Sequence, residues 1–549
     1  MPVALSYPGV YIEEVSSGVH TIIGVATSIT AFAGRALRGP VDNPTQIYSY
    51  ADFERTYGGL WVDSTLSYAV NQYFQNGGST AYIVRVHNGA LTGSAAVTLP
   101  NGSAAAFTAA SPGAWSAQVS ILVDADLDPD VVAANPPNTM FNLQAKDFNT
   151  GTIEQFRSVS VVSTHPRFVT AVLAQASQLL RGPTSIAAPA PTPPAPPAPS
   201  PSPGPAPAPA PAPTPPAPPP APVSSDPFQG PGAVALTVAA NADGSPITAN
   251  ELYAANGMRA AKAGIYQLEK VDLFNLLVIP PYTADIDLSK TDWDTIVSYA
   301  DDRRAFVLVD APQSWADASA AAASGAIVNV ASRDANAAMF FPRLNFSNPL
   351  HDNRIEPFAP GGAVAGVMAR TDANRGVWKS PAGLDATLSG VLSLSVTLTD
   401  PENGALNQLG VNCIRNFPNN GPTVWGARTL KGADSIASDW KYLAVRRMAL
   451  FLEESLYRGM QWVVFEPNDE PLWAQIRLNA GAFMQTLFRQ GAFQGASPKD
   501  AYFVRCDSTT TTQTDIDSGI VNIIVGFAPL KPAEFVVIQL QQIAGDIPT

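Results

Sequence analysis

The chain has 549 residues, 46% hydrophobic and only 14% charged, against about 25% charged in an ordinary soluble domain. Lys plus Arg is 32 and Asp plus Glu is 45, a net charge of −13, which argues against a general nucleic-acid binder with its basic footprint. No apolar stretch reaches the ~18 residues of a membrane span. Met1 to His20 has no basic or apolar signal segment, so no membrane insertion is expected. At about 100–200 residues per domain, the length predicts three or four units. Cys413 and Cys506 are too few for a disulfide framework and predict reduced thiols in a protein made in the cytoplasm.

Residues 1–20 read as an extended arm, with a Pro8-Gly9 turn signal and a β-type run from Val10 to Val15. Ile22 to Phe32 is apolar and β-branched and predicts a strand. Tyr50 to Gly59 predicts a short helix stopped by glycines, Leu66 to Phe74 a second helix, and Ala81 to Val86 a strand. Residues 91–163, rich in Thr, Ser, Val and Gly, predict a β-rich unit. Residues 164–182 carry helical spacing through Phe168, Val172, Leu173 and Leu179.

Proline is the compositional outlier, 51 in the chain, and residues 189–222 hold 20 of them in 34 positions. Ala-Pro and Pro-Pro steps favour solvated polyproline II, so this tract reads as a semi-rigid spacer. Beyond it the runs 273–280, 305–310 and 337–341 predict buried strands, separated by a helix over 293–301. Continuous apolar strands alternating with helices imply a parallel sheet covered on both faces. Two strong helices follow. Asp439 is placed to cap the first, whose Tyr442, Val445, Met448, Leu452 and Leu456 share a face, with Glu454 and Arg458 as an i,i+4 pair. The second runs from Pro471 to about Gln490. Two β runs close the chain, 520–527 and 534–541.

Patterns that carry chemistry are weak. His20, His87, His165 and His351 sit in no metal-ligand spacing. There is no Gly-rich phosphate loop. Ser438-x-x-Lys441 lacks the companion motifs of acyl enzymes, so Ser438 reads as a cap. Asp124, Asp126, Asp128 and Asp130 alternate as in a calcium loop. Pro129 stands where its glycine belongs and Asn135 where its glutamate belongs, which leaves an exposed acidic loop. No catalytic residue, metal or cofactor is expected.

The termini are more informative. Pro529 and Pro532 set off the last β run from the body. A lone terminal strand leaves its backbone groups unpaired. It gains partners by adding to the sheet of another subunit, and such a head-to-tail contact builds rings or filaments. Pairing of both termini within their own chain is the alternative.

Longer motifs then decide more. Tyr7-Pro8-Gly9-Val10-Tyr11-Ile12-Glu13-Glu14, Phe53-Glu54-Arg55-Thr56-Tyr57-Gly58-Gly59 and Gly77-Gly78-Ser79-Thr80-Ala81-Tyr82-Ile83-Val84-Arg85-Val86 lie in the first 90 residues. Arg375-Gly376-Val377-Trp378-Lys379-Ser380-Pro381-Ala382, Phe465-Glu466-Pro467-Asn468-Asp469 and Ala528-Pro529-Leu530-Lys531-Pro532-Ala533-Glu534-Phe535 lie beyond residue 340. In this order they resemble the contractile phage tail sheath family of tailed phages, R-type pyocin-like particles and extracellular contractile injection systems. The resemblance departs mildly at Pro360-Gly361-Gly362 and Pro381-Ala382-Gly383, and the proline tract is no hallmark of that family.

The resemblance implies a mixed α/β fold: a discontinuous sheath core of mixed sheet with flanking helices, inserted outer domains and extended terminal strand arms. The expected division is an arm at 1–20, core at 21–90, a β-rich insertion at 91–182, a proline linker at 183–222, an α/β domain at 223–345, core at 346–530 and an arm at 531–549. It implies hexameric rings stacked in a six-start helix around an inner tube, with baseplate and tail terminator or cap proteins at the ends, contracting without nucleotide. Assembly in the bacterial cytoplasm and a place in a phage tail or injection particle are expected. A static surface or tail assembly is the alternative. Val10, Tyr11, Ile12, Glu13, Glu14 and Val15 would form the N-terminal linking arm. Glu534, Phe535, Val536, Val537, Ile538, Gln539 and Leu540 would form the C-terminal one. Lys441, Arg446, Arg447, Arg477 and Arg489 are the candidate tube-facing cations.

Overall fold

The computed structural model describes residues 20–187 and 226–539. The Val10–Val15 run, Leu540 and the whole proline tract 189–222 therefore lie outside the described residues. Among the described residues the largest sheet has eight strands: β1 (Thr30–Gly34), β2 (Thr45–Ile47), β3 (Ala81–Arg85), β4 (Leu276–Val278), β5 (Phe306–Asp310), β6 (Ala337–Phe341), β7 (Val411–Phe417) and β8 (Gly421–Val424). Their order is β8-β7-β6-β5-β4-β1-β3-β2. The six inner strands run parallel, and only β2 and β8 are antiparallel edges.

Strand periodicity sorts side chains to two faces. Leu276, Val278, Phe306, Leu308, Ala338 and Phe340 point to one layer; Leu277, Val307, Val309, Ala337 and Met339 point to the other. Both layers are covered by helices, so both sets are apolar and the strands read as unbroken hydrophobic runs. The first layer holds α1 (Tyr50–Tyr57), α2 (Thr65–Gln75) and α4 (Gly361–Arg375); the second holds α3 (Lys290–Asp302). Ser49 and Ser64 cap α1 and α2 through the N–H groups of Asp52 and Ser67, and a Ser289–Asp292 capping box starts α3. Gly58, at φ 92°, ends α1. The α2–α4 contact depends on glycine. A Cβ on Gly362 would overlap the Ala69 carbonyl, and one on Gly366 the Tyr73 carbonyl.

The sheet crosses the boundaries drawn from sequence, because β1–β3, β4–β6 and β7–β8 come from three of those ranges. Only the β-rich unit stands apart. It sits between β3 and β4 and contains strands 94–98, 104–109, 119–124, 140–147 and 153–160 around Phe107, Trp115, Ile121, Phe141 and Leu143. The helix expected over 164–182 is confined to Val169–Ala176, and Leu179 and Leu180 instead enter a strand end and its core.

Three local expectations are corrected. The first strand starts at Thr30, not Ile22: residues 20–29 have no ladder, and Ile22 packs against Gly459 and Met448. Asp439 does not cap a helix. The helix α5 (Leu443–Gly459) begins after Tyr442 without a side-chain cap, and Ser438 accepts from Trp440 N–H in the preceding turn. The last β run before the prolines shortens to Ile524–Phe527. The second long helix is α6 (Glu470–Arg489), capped by Asp469, and Glu454–Arg458 forms at 2.7 Å as its spacing implies.

Candidate functional site

The surface that differs most from the body lies at the C-terminal end. Strands β9 (Tyr502–Arg505) and β10 (Ile524–Phe527) pair antiparallel as a sheet of two. It rests on α6 through Tyr502, whose hydroxyl donates to Gln485 Oε1 at 2.8 Å, and through Phe493, which touches both Tyr502 and Phe527. The chain after β10 is tied down by Ala528 N–H to Ala501 O (2.8 Å) and Gln494 N–H to Ala528 O (3.0 Å). Residues 530–535 then cross a groove lined by Arg375, Trp378, Lys379 and Trp425.

The crossing ends in a clamp. Arg428, whose side chain is fully buried, donates to Glu534 Oε1 at 2.8 Å and Oε2 at 2.6 Å, and to Asp434 at 3.0 Å. Burial works against the guanidinium charge, and Glu534 first, with Asp434 and Tyr442, more than offsets it, so the Arg428 pKa is raised. Glu534, expected in the exchanged arm, is therefore the anchor of that arm to its own body. Phe535, Val536, Val537 and Ile538 follow at 76–82% exposure. Among the described residues these four make no backbone hydrogen bond. Four consecutive large apolar residues in water forgo about 1.5–3 kcal/mol of burial each.

The five candidate tube-facing cations are not one set. Arg447 lies inside the body, bidentate to Asp372 at 2.9 and 2.5 Å and bonded to Thr27 O, with 3% of its side chain exposed; it offers no charge to a partner. Arg446 reaches Asn336 and Glu453. Lys441 pairs with Asp434 at 2.6 Å, and Arg477 with Glu470 at 2.5 Å. Arg489, at the exposed end of α6, makes no ion pair within 4 Å among the described residues.

Sequence reasoning missed Arg428, and it missed Arg85. The Arg85 guanidinium donates to Ala36, Gly39 and Pro112 carbonyls at 2.7–3.0 Å, and burial lowers its pKa to about 10. With Arg38–Asp147 at 2.8 Å it joins the β-rich unit to the body. Arg85 stands inside one of the motifs, but its carbonyl partners lie elsewhere in the chain, and the Glu534 partner of Arg428 is 106 positions away.

The weaker patterns resolve into structure. Asp124 Oδ1 accepts from Asp126 N–H and Asn142, and Asp128 caps a short helix. Among the described residues no cluster of His, Cys, Asp or Glu could hold a metal ion. Cys413 and Cys506 are free, and burial pushes their thiols up to about 12 and about 11. No described helix is long and apolar enough to cross a membrane.

Comparison with known proteins bears on this arrangement. Residues 254–430 match the phage tail sheath protein central domain and residues 436–543 the phage tail sheath C-terminal domain. The tail sheath protein of Vibrio phage KVP40 is 30% identical over 183 residues, 33% of this chain and 25% of that protein. The chain spans about a quarter of the length of the curated relatives it matches. Its fold is that of the sheath in an extracellular contractile injection system, PVC, in the contracted state (TM-score 0.55, 22% identity, 98% of each chain). It is also that of the sheath tail protein of Listeria innocua (TM-score 0.57, 14% identity, 93% of this chain and 96% of that one). With the two domain matches together spanning just over half of its residues, the chain belongs to the contractile phage tail sheath family.

Proposed function

We propose that the protein is the structural subunit of a contractile sheath. It polymerises as stacked hexameric rings in a six-start helix around an inner tube. On triggering, the lattice shortens and widens and drives the tube through a target envelope. The energy is stored in the metastable extended lattice, and no reaction is catalysed. Baseplate and tail terminator proteins bound the polymer, which assembles in the bacterial cytoplasm as part of a phage tail or injection particle.

The observation that carries this reading is the pairing of an open two-stranded sheet with an anchored, exposed apolar segment. Among the described residues no third strand pairs with β9–β10, and a sheet of two is marginal alone. Residues 535–538 have the apolar character of a strand and, among the described residues, no ladder. One subunit's segment added to the next subunit's sheet satisfies both. The Arg428–Glu534 clamp holds the root of the link while the bodies rotate. The N-terminal run Val10–Val15 supplies a second link in the same manner. Arg489, Lys441, Arg446 and Arg477 face the tube with weak contacts that let it slide.

Deletion of residues 535–549 should leave a folded monomer with an unchanged melting temperature and abolish polymers in negative-stain images. Full-length sheaths from that variant would overturn the strand-exchange reading. Purified wild-type polymer that never yields a shorter, wider form would favour the static assembly.

A further inference from the structure

The loop between α5 and α6 carries a side chain that the body does not use. Phe465 is fully exposed, and its backbone sits at φ 71°. A bulky residue in the left-handed region is an outlier, and such strain persists only where the surroundings hold it. They do so here. Before Phe465, Val463 N–H donates to Met460 O at 3.0 Å and Val464 N–H to Gln461 O at 3.3 Å. After it, Glu466 N–H donates to Val463 O at 3.2 Å, Asn468 Nδ2 to Ile520 O at 3.0 Å, and the Trp473 indole N–H to Asn468 Oδ1 at 2.9 Å. The loop is tied on both sides, and it holds an aromatic ring in water beside the exposed Val464 and Glu466. Among the described residues Glu466 makes no ion pair within 4 Å. A preordered aromatic side chain is well suited to anchor a protein interface, where aromatic residues dominate the binding energy.

A matching surface lies at the other end of α6. Asp469 caps the helix beside the loop, and Gln490 and Gly491 at its far end line the groove crossed by residues 530–535, a space of about 720 Å³. The 20 residues of α6 hold the two about 30 Å apart. The groove has aromatic walls, Trp378 and Trp425, both partly exposed. It also has cations without acids. Arg375, Lys379 and Lys531 line it, and none makes an ion pair within 4 Å among the described residues. Lys379 instead donates to the Ser380 and Ala382 carbonyls at 2.8 and 3.3 Å. Its pKa is lowered, by burial first and then by the Arg375 charge, against the pull of Asp385. Cations around apolar walls, in a chain of net charge −13, suit a partner that is both acidic and aromatic. Phe465 with Glu466 is such a partner, and with α6 between them one body cannot bring the two together.

We infer that Phe465 of one subunit seats against Trp378 and Trp425 in the groove of a second copy of this chain, with Glu466 facing Arg375 and Lys531. The inference rests on the reading of the chain as a self-assembling subunit, and adds to it a side-chain contact that uses no strand of either copy. Knob and groove are different surfaces, so the contact runs head to tail and propagates instead of closing a pair. It lies over residues 530–535, so a neighbour's Phe465 holds down the root of the linking arm.

The test places the photoreactive residue p-benzoylphenylalanine at position 465 of the full chain. Its cross-links are mapped by mass spectrometry in polymer assembled with and without the inner tube protein. Cross-links to residues 375–383, 425–427 or 530–535 of a second copy are expected in both. Cross-links to the tube protein, or to other surfaces of a second copy, would overturn the inference. Charge reversal tests the recognition separately. Glu466→Lys should fold with an unchanged circular dichroism spectrum and raise the concentration needed for polymer about tenfold. Arg375→Glu in the same chain should recover most of that loss. A folded Glu466→Lys that polymerises as the wild type does, or a double variant no better than the single one, would overturn the inference as well. Wild-type chain that forms no polymer would remove the self-assembly reading and this contact together, whereas polymer lacking these cross-links removes the contact alone.

Discussion

Inside the main sheet, β4, β5 and β6 have a neighbour on either side and helices over both faces, so their apolar side chains are 0–2% exposed. At the C-terminal end, β9 and β10 pair only with each other among the described residues, and the four residues after the Glu534 clamp are more than three-quarters exposed. The same chemistry, apolar side chains on extended backbone, is completed within the chain in one place and left open in the other. Stability and assembly are thereby assigned to different residues, and substitutions should affect one without the other.

The largest effect on the body is expected at Arg447. Arg447→Ala strands the buried Asp372 carboxylate and should cost about 3–5 kcal/mol in urea unfolding. Unchanged stability with lost assembly would instead put Arg447 on the linking side and break the division. At the joint between the regions, Glu534→Gln removes one partner of a charge-assisted pair, an effect of about 1.5–3 kcal/mol. It should appear as faster hydrogen exchange over residues 528–534 with the main sheet still protected; exchange that rises throughout the sheet would mean the clamp belongs to the body. The smallest effect is at Lys441. Its pair with Asp434 is a quarter to half exposed, so Lys441→Ala should change stability by under about 1 kcal/mol. A salt-dependent loss of tube binding in that variant would sharpen its place as a tube contact.

The sheet was legible in sequence where both faces are covered, since 273–280, 305–310 and 337–341 are unbroken apolar runs. The same logic hides α4. Gly361 to Ala369 is buried on every side, so it shows no polar face and no helical period. Ile22–Ile29 misled because Ile22 packs among residues of α5 and Ile23 is exposed to solvent, while no ladder forms before Thr30. The exposed part of the arm could be read from Pro529, Pro532 and the run after them. Its anchor could not, because Arg428 and Glu534 are 106 positions apart. Arg447 looked like its neighbours for the same reason: a charge is visible in a sequence, and its distant partner is not.

The position of β1 has a kinetic consequence. Thr30 lies between Ala81 on one side and Leu276 on the other. At about 5–20 residues per second of synthesis, the second neighbour reaches the nascent chain on the order of ten seconds or more after the first. Through that interval β1 and β3 present an apolar edge that later strands will cover. Pairing of such sequence-distant strands is slow, so the docking of β4 sets the pace of folding, and the emerging chain is a natural client for chaperones until it is done.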